Sequence, residues 1–515
     1  MPVKRMPARH DSSLPEGPRT VQEMLDWPTR VIAAMRDIGQ FETWLSNLRG
    51  GLIVGTHFSG LLTAELALEQ LVHATADVLE RNGQTSESEQ LHGRLMSAWT
   101  CDKLPESQDF AMSWPKSRYW HDAGGCCFGD IFDSSSDEMI EKFNFVDRAK
   151  EEGRGRHAVQ DTQTYMFRHV REIVEESACF RHRKCCKSHE YTPPEDFHDP
   201  VTIEVAGTPC VGWSILGKRE GVLHDSHLAF LAWAAKTRLA SPMIIVHECT
   251  AAFPVSLLEY WFDDMYVLHD IGSPRPNRRF TWLIRKDCRF TGSAEEFNEM
   301  FAARTTMLAD AFFCAPSDVL QEGLNVIAQS RGFAPQEVSR VKDWSIFYPP
   351  GTRERMDGHL RMWMKKRSPD IMKYIKNYPI IADLDQNPGY GPTASLQCPT
   401  LVSHGTLHNF FRKRCMVGEE HLLSMGFPIF DEDCFLKSVV GNVMSERMMK
   451  QMAGNAMYLP LIGIQLLYLI SHLDKTNGDN GCKLRRMGRL ASTLSFSSGG
   501  GHGLARSLFD YLDDS

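Results

Sequence analysis

The stretch GLIVGTHFSGLLTAELALEQLVHATADVLE, beginning at Gly51, constrains the fold more than any other part of the chain. It opens with a short apolar run that stops at small residues. Apolar residues at helical spacing follow, so the whole reads as strand, turn and helix. Further short apolar runs occur in SAWTCDK, CCFGDIFD, TIEVAGTPC, MIIVHECT and RFTWLIRK, several of them separated by helical stretches. Strands alternating with helices predict the α/β class with a mostly parallel sheet. In such sheets ligands sit beyond the carboxyl ends of the strands. Those ends carry Phe58 to Gly60, Asp102, Asp130, Cys210 and Glu248.

At 515 residues the chain is long enough for two or more domains, and its 42% apolar and 24% charged content is that of an ordinary soluble globular protein. The first 20 residues lack the apolar core of a secretory signal, which predicts an intracellular protein. Its 14 cysteines are then expected to be reduced, and reactivity or metal binding becomes a better reading than disulfides. The run NAMYLPLIGIQLLYLIS is interrupted by Pro and Gln and falls short of the ~20 residues a membrane span needs, so it predicts a buried helix and no membrane partner. A net charge of −8 argues against a protein that coats nucleic acid non-specifically. Local basic faces remain: RPNRRFTWLIRKDCRF, RERMDGHLRMWMKKR and KLRRMGR, each of which on its own reads as a solvated surface.

Composition divides the chain. Residues 1–45, rich in Pro, Arg and Ser, are expected to be flexible. The strand–helix pattern fills 46–290. Mixed polarity and turn-rich pieces such as DLDQNPGYGPTASLQCPT mark 291–440 as a smaller, irregular domain. Helical periodicity returns over 441–475, and the Ser/Gly-rich tail, 476–515, is expected to be disordered.

Taken singly, the chemical signals are modest. The turn at Val54 to Glu65 brings backbone amides toward a ligand, or is merely tight geometry. Asp102 suits a ribose hydroxyl pair or a helix cap. Cys210 follows a proline in a loop, which favours a nucleophile over packing.

Their order along the chain resembles the motif order of the S-adenosylmethionine-dependent cytosine-5 methyltransferases, over roughly residues 50 to 475. VGTHFSGLLTAE resembles the block that cradles the cofactor, AWTCDK the block whose acid holds its ribose, and CCFGDI the block that reaches its adenine. GTPCVGWS is similar to the Pro-Cys block, with Ser214 at the usual spacing. IIVHECT stands in the place of the Glu-Asn-Val block and GSPRPNRRF in that of the arginine block. GEEHLLSMGFP and QMAGNAMYLPL resemble the last two blocks.

The resemblance implies a Rossmann-like class I methyltransferase sheet with helices on both faces. The catalytic domain would be 46–290 completed by 441–475, with 291–440 as target-recognition domain. It implies S-adenosyl-L-methionine as cofactor, held by Phe58, Ser59, Gly60, Asp102, Asp130, Ile131, Gly454 and Asn455. It also implies Cys210 as the nucleophile adding to C6 of cytosine, Glu248 at N3 and the amino group, and Arg279 near O2. The base must be flipped out of double-stranded DNA to reach them. RERMDGHLRMWMKKR lies within the recognition region and would contact phosphates. A DNA substrate implies a nuclear location; oligomeric state is open.

The chain departs from the family's pattern at three places. Leu62 replaces a second glycine near the methionine end of the cofactor. Cys249 and Thr250 replace the Asn-Val that follows the glutamate, where the Asn helps to fix the nucleophile loop. The arginine block aligns with Arg275, Asn277 and Arg279, with Arg278 as a substitute for the lost arginine. Ahead of the nucleophile strand, CFRHRKCCKSHE holds Cys179, His182, Cys185, Cys186 and His189. That spacing matches no zinc finger, basic residues interleave, and a solvated loop without metal is expected. Cys126 and Cys127 read as strand core, and Trp213 either stacks on the target base or packs. Two other functions stay open. One is an RNA (tRNA) cytosine-5 methyltransferase, against which the length of 291–440 weighs modestly. The other is an inactive DNA-binding member of the family.

Overall fold

The computed structural model describes residues 14–475 apart from 115–116, 123, 174–175, 188–189, 215–218, 273–277, 305, 335–337, 339–340, 367–378, 390–394 and 432–435. The predicted tail, His189 and the 273–277 part of the arginine block, including Arg275 and Asn277, lie outside the described residues, as does the basic cluster KLRRMGR.

Seven strands build the central sheet: β1 (Leu52–His57), β2 (Leu95–Cys101), β3 (Cys126–Phe128), β4 (Val201–Gly207), β5 (Ile244–Thr250), β6 (Met265–Leu268) and β7 (Arg278–Arg285). Their order across the sheet is β3-β2-β1-β4-β5-β7-β6. Pairings from β3 through β5 are parallel, and β7 runs antiparallel to both β5 and β6. Every residue of β1 and β5 is buried, as the near-continuous apolar runs require of strands covered on both faces. Chain order reverses between β1 and β4, so a cleft opens beyond their carboxyl ends.

The framing helices are α1 (Trp27–Asp37), α2 (Phe41–Gly50), α3 (Thr63–Arg81), α4 (Pro105–Ser113), α5 (Ser226–Ala240), α6 (Gly418–Ser424), α7 (Glu446–Asn455) and α8 (Leu459–Ser471). One face of the sheet packs Val54, Ile203, Val246 and Trp282 with α1, α2, α3 and α8. The other packs Trp99, Ile245 and Leu283 with α5. This is the Rossmann-like α/β arrangement expected from the strand–helix alternation.

One expectation changes and one holds. The segment before residue 45 is not flexible where it is described. Trp27, Ile32, Met35 and Trp44 are 0–4% exposed, spaced along two helices so that their apolar faces close over α3 and α8. Scattered Pro and Arg hid that periodicity. The apolar stretch 446–471 is long enough to span a bilayer by length and composition, yet 78% of its most apolar window is buried inside the fold. It is core, as expected.

Within 291–440, a helix (Pro350–Lys366) and a three-stranded antiparallel sheet (Ile381–Asp383, Leu407–Asn409, Arg414–Cys415) accompany a separate buried cluster of Leu324, Trp344, Phe347, Trp363, Ile380 and Val417. Glu420 in α6 joins this layer to the main core. It accepts both guanidinium nitrogens of Arg414 at 2.7 Å and the amide of Ala315 at 2.9 Å, with the pair almost wholly out of solvent.

Candidate active site

β4 ends at Gly207, and the chain leaves the sheet through Thr208, Pro209 and Cys210. The amides of Trp213 and Ser214 return to the carbonyl of Cys210 at 3.0 and 2.9 Å, making a tight turn with the cysteine at its start. From below, β5 anchors that loop. Thr208 Oγ1 lies 2.7 Å from His247 Nε2, and Cys249 Sγ donates to the carbonyl of Thr208 at 3.8 Å. Burial drives the His247 pKa down to about 3, so the ring is neutral under ordinary conditions. Cys249 thereby ties the strand to the loop that carries Cys210.

Strand alternation decides what faces the cysteine. His247 and Cys249 point to the α5 side, so Glu248 points to the opposite face. In the antiparallel pair, Thr250 sits opposite Arg278 and Cys249 opposite Arg279. Arg278 therefore shares a face with Glu248, and Arg279 does not. The distances agree: Arg278 Nη1 is 3.1 Å from Glu248 Oε1 and 3.9 Å from Cys210 Sγ. Arg279 Nη1 instead donates to the carbonyl of Phe253 at 2.7 Å. The arginine brought together with Cys210 and Glu248 is Arg278, rather than the expected Arg279. Periodicity could not have chosen between neighbours, because the answer depends on the register of a reversed strand. Glu248 and then Cys210 raise the Arg278 pKa, so its charge is permanent.

Trp213 packs edge-on against Phe253 and His227, at centroid separations of 5.7 and 6.2 Å. Its ring is thereby committed to the protein rather than presented for stacking. The exposed apolar side chain at the turn is Val211, 51% accessible. Met457, after α7, closes on the loop from the far side: a Cβ on Gly207 would lie 3.2 Å from its methyl and 3.4 Å from Glu248 Oε2.

Of the expected cofactor residues, Phe58, Ser59, Gly60, Asp102, Asp130 and Ile131 follow the ends of β1, β2 and β3, while Gly454 and Asn455 end α7. The turn after β1 holds Phe58, Gly60 and Leu62 at positive φ. Gly60 suits that conformation, and the space beside it is open, with no atom within 4 Å of where a Cβ would stand. Its amide donates to Asp102 Oδ2 at 2.9 Å, and the amide of Leu104 donates to Oδ1 at 2.9 Å. Burial raises the Asp102 pKa, and those two amides oppose the rise. Ser59 bridges the carbonyls of Thr56 and Cys101 through its hydroxyl. Cys101 Sγ donates to the carbonyl of Gly129, tying in the end of β3.

Asp130 caps the short helix Ile131–Ser134, accepting from the amide of Phe132 at 3.1 Å. The Ile131 side chain is buried, and its carbonyl accepts from Lys236 at 2.7 Å. Leu62 is 1% exposed and packs into the core, so the missing glycine does not fill the cleft with a side chain. Gly454 lies against the backbone of residues 402–403, where a Cβ would be 2.5 Å from Ser403 N, and Asn455 beside it is exposed. Ser107 Oγ to Met452 Sδ, 3.7 Å, links α7 to α4, the helix that follows Asp102.

No protein-family model matches the chain, and no curated protein sequence matches it. Among solved structures it is similar to an E. coli prophage protein described as a DNA modification methyltransferase. The two are 12% identical with a TM-score of 0.37, over 82% of this chain and 98% of that one. It is also similar to the S. pombe Dnmt2 methyltransferase, at 13% identity and a TM-score of 0.35 over 81% and 98%. A Spodoptera frugiperda DNMT2 mutant gives 10% and 0.32 over 81% and 99%. Likenesses this low add nothing to what the sheet order shows. That order, parallel from β3 through β5 with β7 inserted antiparallel, is a Rossmann-like α/β fold.

Proposed function

We propose that this protein is a DNA cytosine-5 methyltransferase that uses S-adenosyl-L-methionine and acts through a covalent adduct between Cys210 and C6 of a flipped cytosine. One observation carries the reading: a loop cysteine, a permanent cation and a carboxylate converge within 3.1–3.9 Å at the edge of a methyltransferase sheet. Cytosine presents O2, N3 and its amino group side by side along one edge. An arginine and a glutamate held next to each other match that sequence of acceptor and donor groups.

The residues at the β1–β2 edge fit the cofactor. An open glycine turn and a buried carboxylate at the next strand end are what a nucleoside with a charged tail requires. Phe58, Ser59, Gly60 and Asp102 would hold it, with Asp130, Ile131, Gly454 and Asn455 around it. When bound, it supplies an electrophilic methyl group.

Cys210 supplies the sulfur nucleophile, with the Arg278 guanidinium 3.9 Å from its Sγ. As Sγ bonds to C6, the C5–C6 π electrons become available at C5. Arg278 then stabilises the charge at O2, and Glu248, which must enter the step as the acid, passes its proton to N3. C5 takes the methyl group and gives its proton to a solvent base; the C5–H electrons re-form the C5–C6 double bond and expel the Cys210 sulfur, while N3 returns its proton to Glu248. Covalent addition thus replaces one difficult step by easier ones.

In the recognition region, the helix Pro350–Lys366 exposes Arg353, Arg361 and Lys365 at successive intervals of eight and four residues, in a stripe that also carries the exposed Asp357. That stripe is suited to phosphate. Arg355 faces inward to Asp385 and the carbonyl of Leu384.

The test is transfer of an isotopically labelled methyl group to duplex DNA and, separately, to total tRNA, with the product nucleoside identified by mass. Labelled 5-methyldeoxycytidine supports the proposal. Label confined to tRNA would move the substrate to RNA, and cofactor binding without transfer to either would make the chain a non-catalytic member.

A further inference from the structure

Between β3 and β4 the chain forms a small hairpin, Ser177–Cys179 paired with Lys184–Cys186, whose tip holds His182. Pairing of Cys179 with Lys184 puts Cys179 and Cys186 on one face, while Cys185, opposite Ala178, points the other way and is exposed. The amide of Phe180 donates to the carbonyl of Cys127 at 2.9 Å, which lays that face on the end of β3 and brings in Cys126. His182 Nδ1 then lies 3.5 Å from Cys126 Sγ, 3.6 Å from Cys179 Sγ and 3.5 Å from Cys186 Sγ. All four ligand atoms fall within 4.8 Å of one another.

From this geometry we propose that Cys126, Cys179, His182 and Cys186 form a structural zinc site. In a tetrahedral site with Zn–S of about 2.3 Å and Zn–N of about 2.0 Å, the sulfur-to-nitrogen edge is about 3.5 Å. Three such edges are present before any ion is added.

The second shell fits as well. His182 Nε2 donates to the carbonyl of Gly124 at 3.1 Å, which leaves Nδ1 as the unprotonated nitrogen aimed at the sulfurs. Amides of Cys127 and His182 point at Cys179 Sγ, at 3.4 and 3.5 Å, and such donors stabilise a bound thiolate. Binding forms three Zn–S bonds and one Zn–N bond and releases three thiol protons, with no redox change. Three thiolates around a divalent ion carry one net negative charge, and Arg181, Arg183, Lys184 and Lys187 stand beside the ligands in sequence.

Four protein ligands leave no open position, so the ion is structural rather than catalytic. The soft donor set selects zinc over magnesium or calcium. Its place in the fold gives it a task. It clips the hairpin to β3 just before Asp130, and Phe180 of the hairpin packs over Gly129. It uses none of Cys210, Glu248 or Arg278.

The experiment is elemental analysis of the full chain, expressed untagged in zinc-supplemented medium and purified without chelator. About one zinc per chain is expected, retained in Cys185→Ser and lost in Cys126→Ser and Cys186→Ser. Cobalt(II) added to the demetallated wild-type protein should give the intense visible bands and sulfur charge transfer of a tetrahedral thiolate site. Because the cysteine variants are liable to misfold, the wild-type zinc content and the cobalt spectrum stand as tests by themselves. A wild-type chain that holds no zinc and gives only octahedral cobalt bands, or in which these cysteines are joined as disulfides, would overturn the proposal.

Discussion

Arg278 and Arg279 are neighbours in sequence on opposite faces of the sheet, so single substitutions separate what each does. Removing the guanidinium that faces Cys210 and Glu248 takes away a charge aimed at the developing negative charge on the base. Arg278→Ala is predicted to lower kcat/KM by roughly 10²–10³-fold, the usual effect of losing one such donor. Arg279→Ala removes a bond to the carbonyl of Phe253, and its effect is predicted in stability, about 1 kcal/mol, with turnover little changed. Steady-state kinetics beside denaturant unfolding distinguishes the two; the opposite pattern would return the role to Arg279. Leu62 poses a balance of two terms. Its left-handed conformation, φ 54°, costs roughly 1–2 kcal/mol that a glycine would not bear. Its buried side chain contributes more, since deleting a core leucine costs about 2–5 kcal/mol. Burial wins, so Leu62→Gly is predicted to lower the unfolding midpoint, although it relieves the backbone.

The turn that joins β1 to α3 is held from within by Thr56, whose hydroxyl donates to Glu65 Oε1 at 2.7 Å. Glu65 is fully buried, and burial raises its pKa from 4.5 to about 7. Between those values the folded state binds more proton than the unfolded state, so this group's contribution is complete below pH 4.5 and is lost as pH rises through 7. Glu65→Gln cannot titrate. Relative to it, the wild-type chain is predicted to lose up to about 3 kcal/mol of stability between pH 4.5 and 8, read from urea midpoints. A constant difference across that range would refute the assignment. At the same level, α1 and α8 touch at Trp27 and Gly463, where a Cβ would overlap the indole at 1.9 Å. The strands and long helices were legible in the sequence because each carries its own period. Contacts such as this one were not, since they join residues more than 400 positions apart. The Cys–His cluster reads in the sequence as a solvated loop without metal: Cys179, His182 and Cys186 share a segment, but Cys126 comes from an earlier strand and reads as core, and only the hairpin's docking brings the four together.

At the scale of the molecule, the order of strands carries the site. Reversal between β1 and β4 sets the Gly60–Asp102 edge beside the Cys210 loop, so the expected methyl donor and the base share one cleft. Cys210 and Glu248 were legible because strand ends could be read; Arg278 was not, because antiparallel insertion of β7 could not. The recognition layer is tied in by the buried Arg414–Glu420 pair and presents the exposed stripe of Arg353, Arg361 and Lys365. Replacing all three with alanine is predicted to weaken DNA binding similarly across sequences. It should also reduce the slope of log K against log salt by up to about 3. The central claim is that Cys210 attacks C6 of cytosine in DNA, and covalent trapping tests it most directly. In duplex DNA containing 5-fluorocytosine, fluorine replaces the proton that must leave C5, so elimination fails after methyl transfer and the enzyme stays bound. With S-adenosylmethionine present, the wild-type chain should give a denaturant-resistant complex whose linked peptide contains Cys210, and Cys210→Ser should give none. A complex that persists in Cys210→Ser, or wild-type protein that binds cofactor and DNA yet forms no adduct, would contradict it.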